Sequence, residues 1–323
     1  RMYVFGAHTG GTTNDSPDIT PRCEVYNVGD DSWEYITDMP TARAGCMAVT
    51  VGTKIYVVGG IEKDAFFDRY VVSRKIEVYD TITDLWNDTL SVMPEGYGVA
   101  FGHAFNYGDY IYVCSGISEL LNNSQSGELN EYILRYSISA EENGQNPWTV
   151  LTPSDVELYS RIAPFVFVKN DVVYTYGGAL SKSTEQIQAE YNAEVESRIK
   201  NFRSYVLSSP YYINMSSSDR EALITEEEDK IKNSVTVSPF IYPNTGFKWT
   251  IGSESGGHIT VSDVLDDEWP VLPAPRDKGA AVYIPSSDAA YFIGGSNNNR
   301  STTLSRVERI DLSLDNSYTR VAP

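Results

Sequence analysis

The stretch Lys54-Ile-Tyr-Val-Val-Gly-Gly60, followed by Ile76-Glu-Val-Tyr-Asp-Thr-Ile-Thr-Asp-Leu-Trp86, decides the fold. Its first run reads as a strand ending in a glycine pair. Its second reads as an alternating strand, a polar turn and a large aromatic. Similar glycine-ended strands are Met2–Ala7, Tyr110–Gly116, Val172–Gly178 and Ala290–Gly295, and Phe247-Lys-Trp-Thr-Ile-Gly-Ser253 resembles them closely enough to be taken as a sixth. The glycine-pair positions are then 6, 59, 115, 177, 252 and 294, a mean step of (294 − 6)/5, about 58 residues. The aromatic of the second motif recurs as Trp33, Trp86, Trp148 and Trp269, with Tyr318 in the last copy. A third motif precedes the pairs: Arg43, Arg161 and Arg276, each leading into small and apolar residues.

A period of this size made of four short strands and turn-forming clusters describes an all-β repeat protein. A four-stranded sheet with two apolar faces is not stable alone, and radial stacking buries both faces while leaving only short edges. Glycine at the strand end permits positive φ and close backbone approach where neighbouring sheets crowd.

These landmarks resemble the kelch repeat, which builds one four-stranded blade of a β-propeller. The clearest copy runs from Arg43 to Met93, and the resemblance covers nearly the whole chain. The departures are Gly6-Ala7, Ser115-Gly116, Gly252-Ser253, Ser262 in place of Tyr, and Tyr318 in place of Trp. The expectation is a single kelch propeller over 1–323, with units at about 1–40, 41–94, 95–157, 158–217, 234–275 and 276–323. Six blades are preferred and five are the alternative. The first unit begins at its second strand, and the resemblance implies that an innermost strand comes from beyond one terminus.

Residues 180–233 form an insertion. Ile187, Tyr191, Val195, Ile199, Phe202 and Val206 recur at helical spacing. Ser218-Asp-Arg-Glu221 has capping-box spacing before a second helical run. In the six-blade reading Phe202–Leu207 and Tyr211–Met215 are distorted outer strands; in the five-blade reading the region is a helical hairpin.

The 44 acidic and 25 basic side chains give a net charge of −19, which opposes binding to a phosphate backbone and excludes nucleic acid as a partner. The longest apolar run is about six residues, far below the roughly 20 needed to cross a bilayer, so no membrane insertion is expected. Cys23, Cys46 and Cys114 lie in strand-like runs and are read as small buried hydrophobes. His8, His103 and His258 have no metal-ligating spacing, and neither a nucleophile elbow nor a phosphate loop occurs, so no metal, cofactor or catalytic residue is assigned. Five N-x-Ser/Thr sequons occur, about the number chance supplies, and they fix no compartment. The cytoplasm is favoured over a cell-surface or extracellular setting.

Binding remains. The functional expectation is a non-catalytic protein-interaction module or scaffold using the propeller's loop faces, within a longer chain or larger assembly. A carbohydrate-active propeller, oxidase or mutarotase, is the alternative. The loops after the glycine pairs are long and individual, and the resemblance implies that such loops carry ligand contacts. In the second of them Phe66, Phe67, Arg69 and Tyr70 are the residue types that dominate interface energetics. Arg43, Arg161 and Arg276 are further candidate contacts, with structural pairing inside the repeat as their other role.

Overall fold

In the computed structural model the strands fall into successive antiparallel sheets, and the described residues are 1–9, 18–64, 69–120, 127–238, 240–243, 245–263, 278–297, 302–303, 307–312 and 318–321. The chain divides into two units: residues 1–180 with 242–323, and residues 181–241.

In the first unit five sheets follow one another. The first has three strands, Met2–Thr9, Asp18–Asn27 and Ser32–Ile36. The second is Met47–Val51, Lys54–Val58, Ile76–Asp80 and Leu85–Asn87. The third is His103–Tyr107, Tyr110–Cys114, Ile133–Ser137 and Trp148–Pro153, extended by His258–Ile259. The fourth is Phe165–Lys169, Val172–Tyr176, Gly246–Thr250 and Ser262–Asp263. The fifth is Ala280–Ile284, Ala289–Ile293, Val307–Asp311 and Tyr318–Val321.

Among the described residues the principal sheets number five, the alternative count, rather than the preferred six. Phe247 pairs with Thr175 and Thr250 with Val172, so the Phe247–Ser253 run is the third strand of the fourth sheet and not the second strand of another. Residues 246–263 accordingly supply two strands to the fourth sheet and one short strand to the third. The hydrogen bonds make the equivalence plain. The Gly59 N–H donates to the Lys75 carbonyl at 2.8 Å, and the Gly177 N–H donates to the Thr245 carbonyl at 3.2 Å. The insertion sits where the other sheets carry a short hairpin, between second and third strands.

Four apolar clusters join the five sheets in order. Phe5, Cys23 and Met39 pack with Ile55, Val57 and Tyr79 between the first and second. Val49, Tyr56 and Val58 meet Val113, Leu134 and Tyr136 between the second and third. Tyr112, Cys114 and Leu151 meet Val173, Phe247 and Trp249 next, and Phe165, Phe167 and Tyr176 meet Phe292 and Ile310 last. The repeat aromatic ties neighbours together as well: the Trp86 indole N–H donates to the Thr37 carbonyl at 2.9 Å, and that of Trp148 to Ser91 at 2.7 Å. Each acceptor follows the last strand of the preceding sheet.

Backbone bonds also run from sheet to sheet. The Phe101 N–H donates to Gly45 O at 2.9 Å, Ala163 N–H to Phe101 O at 2.8 Å, and Lys278 N–H to Ala163 O at 3.0 Å. All four residues have positive φ, the conformation that points these groups along the series. Gly59, at φ +60, shows why the repeat keeps glycine: a Cβ there would lie 2.0 Å from the Val99 carbonyl of the next sheet.

The second unit is a pair of helices, Thr184–Ser208 and Ser217–Ser234. The first starts at a capping box between Ser183 and Gln186, and the second is capped by Ser216. The helical stripe read from the sequence is its interior, with Val195, Ile231 and Val235 packed against Tyr191, Ile199 and Phe202. Phe202–Leu207 is therefore helix rather than outer strand, and Tyr211–Met215 is the turn between the helices. No helix among the described residues is long and apolar enough to cross a membrane.

Candidate partner-binding site

The repeat arginines are interior groups. Arg43 is fully buried, donates to Gly59 O at 2.9 Å and Lys75 O at 3.2 Å, and pairs with Glu77 at 2.6 Å. It closes the end of its own sheet by donating to carbonyls where the strands end. Arg161 is buried likewise, donates to Gly177 O at 2.9 Å and Thr245 O at 2.8 Å, and lies over the Phe247 ring at 5.4 Å. Register places Phe247 where Glu77 stands, so a cation–π contact is made at that place. In the third sheet the same two places hold Val99 and Leu134, both buried. In the fifth, buried Glu308 occupies the Glu77 position. Burial withdraws Arg43 and Arg161 from the set of surface contacts. Arg276 lies outside the described residues.

The third sheet has Val99 where the repeat arginine would stand and uses another device. The Tyr159 hydroxyl accepts from the Ser115 N–H at 2.7 Å and donates to the Tyr132 carbonyl at 2.7 Å. It bridges the positions that Gly59 and Lys75 join directly in the second sheet. Burial pushes the Tyr159 phenol well above its ordinary value, so it stays a neutral donor and acceptor.

What projects from this framework is the hairpin Ile61–Asp64 and Arg69–Val72, in which Lys63 pairs with Tyr70 and Asp64 with Arg69. Its base is clamped by reciprocal backbone bonds between Ile61 and Ala44, at 2.7 and 3.0 Å, and by the Ser73 N–H on Gly60 O at 2.7 Å. Arg69 is exposed and Tyr70 half-buried, while Phe66 and Phe67 lie outside the described residues.

A groove of about 570 Å³ runs along each side of the hairpin. One is lined by Ile19, Pro40, Thr41, Lys63, Tyr70 and Lys75 among others, the second by Arg69, Tyr70, Val72, Ser118, Glu119 and Leu120. Tyr70 thus borders both. The Lys75 ammonium is held by Thr41 Oγ1 at 3.0 Å and Glu62 at 3.2 Å. Glu62, Asp64 and Glu119 face Lys63, Arg69 and Lys75, so charges of both signs alternate here although the whole chain is strongly acidic. Sequence reading found Arg69 and Tyr70. It missed Ile19, Lys75 and Glu119, which are far apart in the chain and meet only because successive sheets present equivalent loops side by side.

Among the described residues those suited to chemistry do not converge. His258 is exposed, and His103 sits partly buried in its strand with its imidazole pushed down to about 4 by burial. Burial raises the thiols of Cys23 to about 11 and Cys114 to about 12, and raises Cys46 as well. Among the described residues no three of His, Cys, Asp and Glu are grouped to hold a metal ion.

Comparison with known proteins bears on the repeat directly. The kelch motif is matched over residues 42–88, the unit with the Arg43–Glu77 pair and Trp86. The chain carries the kelch repeat, as its relatives of that name do. A putative F-box/kelch-repeat protein of Arabidopsis thaliana is 33% identical over 95 residues, 29% of this chain and 21% of the relative. The N-(sulfonatooxy)prop-2-enimidothioate sulfolyase of Thlaspi arvense is 26% identical over 187 residues, 55% of this chain and 49% of the enzyme. The matches thus span about a fifth to a half of those two relatives' own length. Among solved structures YjhT is similar with a TM-score of 0.59 and 16% identity, over 99% of this kelch chain and 80% of that one. At that identity the likeness is one of fold, and the fold is a kelch-type β-propeller of four-stranded blades.

Proposed function

We propose that this kelch propeller is a non-catalytic interaction module whose protein partner seats on the Ile61–Val72 hairpin and the grooves beside it. The observation that carries the reading is Tyr70, shared by two grooves on a hairpin whose base is fixed by backbone bonds. A rigid aromatic with an exposed arginine beside it is the composition of an interface anchor. Alternating charges over an acidic molecule suit a partner of mixed or basic charge, which the overall field draws in and the local pairs orient. Kelch relatives whose names join the repeat to an F-box or BTB domain are consistent with a module that serves a larger assembly. The test is capture of partners by the intact chain against an Arg69→Ala, Tyr70→Ser variant. Loss of a discrete partner with unchanged thermal stability supports the site, and undiminished capture overturns it.

An enzymatic reading has one observation in its favour, the 187-residue match to the sulfolyase. Metal analysis, a sugar-turnover screen and incubation with that relative's named substrate discriminate it, and turnover of any of these would displace the interaction reading.

A further inference from the structure

The turn between the two helices differs in character from the rest of the chain. Residues 204–218 contain no Asp, Glu, Lys or Arg, whereas fifteen residues at the chain's 21% would hold about three. Six of the fifteen are Ser and three are Tyr, namely Tyr205, Tyr211 and Tyr212. Four large apolar side chains within nine residues stay open to solvent: Tyr205 at 54%, Leu207 at 56%, Tyr211 at 82% and Ile213 at 68%. Together these amount to on the order of 500 Å² of accessible surface, at the upper end of the largest patch on an ordinary monomer.

The tip is also braced. Tyr212 packs edge-on against Tyr205 at 5.8 Å and against Tyr211 at 4.9 Å between ring centres. Val206 beneath it is fully buried, and Arg203 grips both oxygens of Glu221 at 2.9 and 3.2 Å, joining the two helices just below the turn. Arg203 and Glu221 are thus neutralised by one another, and Asp219 at the tip's edge accepts from the Ser216 hydroxyl. What remains is a set of tyrosines held in place by their neighbours, surrounded by small hydroxyl side chains, the combination that gives contact area at low entropic cost and adaptable hydrogen bonding.

We propose that the 204–218 tip is a second docking element, inserting its tyrosines and Ile213 into an uncharged, apolar cleft of a partner protein. Charge selects this occupant. An uncharged tip gains nothing from a charged cleft and leaves that cleft's groups desolvated and unpaired. A bilayer surface is disfavoured because the two helices carry ten acidic and six basic residues over 184–234, the opposite of the basic flanks that anionic lipid attracts. A second copy is disfavoured by the −19 carried on each chain. The patch is smaller than the roughly 800 Å² per partner of a standard interface, so it serves as an anchor in a larger contact.

The test uses the full chain with a photo-crosslinking benzoylphenylalanine in place of Tyr211, irradiated in extract of the cells that express it, and the crosslinked peptides sequenced. Crosslinks gather on one protein, at peptides that line an uncharged apolar cleft. Yield falls about tenfold or more in a Tyr205→Ser, Leu207→Ser, Ile213→Ser background. It is unchanged when salt rises from about 50 to about 500 mM, since screening does not touch a neutral contact. Circular dichroism of the triple variant checks that the helices remain, as expected for side chains already more than half exposed. Crosslinks to the chain's own copies, sedimentation of the intact chain with phosphatidylcholine vesicles, a salt-sensitive yield, or a yield no higher than from a probe at exposed Glu196 would each overturn the proposal.

Discussion

Tyr159→Phe removes one oxygen atom and leaves the packing of the ring on Phe247, 5.6 Å away, in place. That oxygen serves two backbone groups. The Ser115 N–H belongs to a fully buried residue and loses its acceptor, at a cost of about 1–3 kcal/mol for a stranded buried donor. The Tyr132 carbonyl is nearer the surface, and its lost bond costs about 0.5–1.5 kcal/mol. The sum centres near 3 kcal/mol. With a urea dependence of about 3 kcal/mol per molar, the unfolding midpoint moves down by about 1 M. The assay is urea unfolding followed by both fluorescence and circular dichroism, whose coincidence checks the two-state treatment. Tyr26→Phe is the control: it removes a hydroxyl bond to Asp31 at the surface and shifts stability by no more than about 0.5 kcal/mol. Amide exchange at Ser115 should also quicken in the Tyr159 variant. A midpoint shift no larger than the control's, with the Ser115 amide still protected, would refute the claim that this phenol substitutes for the repeat arginine.

Other expectations follow from the same framework. Arg43→Ala leaves Glu77 buried and alone and destabilises by about 3–5 kcal/mol, whereas Arg43→Met with Glu77→Leu, approaching the Val99–Leu134 pair of the next sheet, loses markedly less; denaturant midpoints compare them, and a double variant no better than the single contradicts the equivalence. All three thiols resist Ellman's reagent at pH 8 in the folded chain and react in denaturant, because burial holds Cys23 near 11 and Cys114 near 12 and raises Cys46; rapid labelling before unfolding would count against it. His103 titrates in the folded state at about 4 against about 6.5 unfolded, so the unfolded chain binds the extra proton and stability declines as pH falls through that window. An imidazole NMR titration with a midpoint near 6.5 would show the ring to be open to water.

Sequence carries this fold well because the repeat residues are the ones with fixed geometric duties. Gly59 stands against the next sheet's carbonyl, Trp86 reaches the preceding sheet's loop, and Arg43 closes its own sheet; such duties return from blade to blade and so the residues recur, with Val99, Ser115 and Tyr159 as the third sheet's departure. The blade count was not legible. Phe247–Ser253 has the composition of a glycine-ended second strand, yet strand rank is set by its partner, Val172–Tyr176, across an insertion that composition alone does not show to be a loop. The helical hairpin was legible as periodicity, and its exposed tip was not, since Tyr205 and Leu207 continue the apolar run while facing outward. The hairpin at 61–72 stood out by residue type. Its grooves did not, because Ile19, Lys75 and Glu119 come together only through the stacking of neighbouring sheets.

Hydrogen–deuterium exchange on the full chain, alone and with the partner it retains, tests the central claim most directly. The account predicts new protection at residues 61–64 and 69–72, extending to 117–120 across the shared groove, and its loss in the Arg69→Ala, Tyr70→Ser variant. Protection absent from both segments while the partner is bound would contradict the assignment of this hairpin as the binding site.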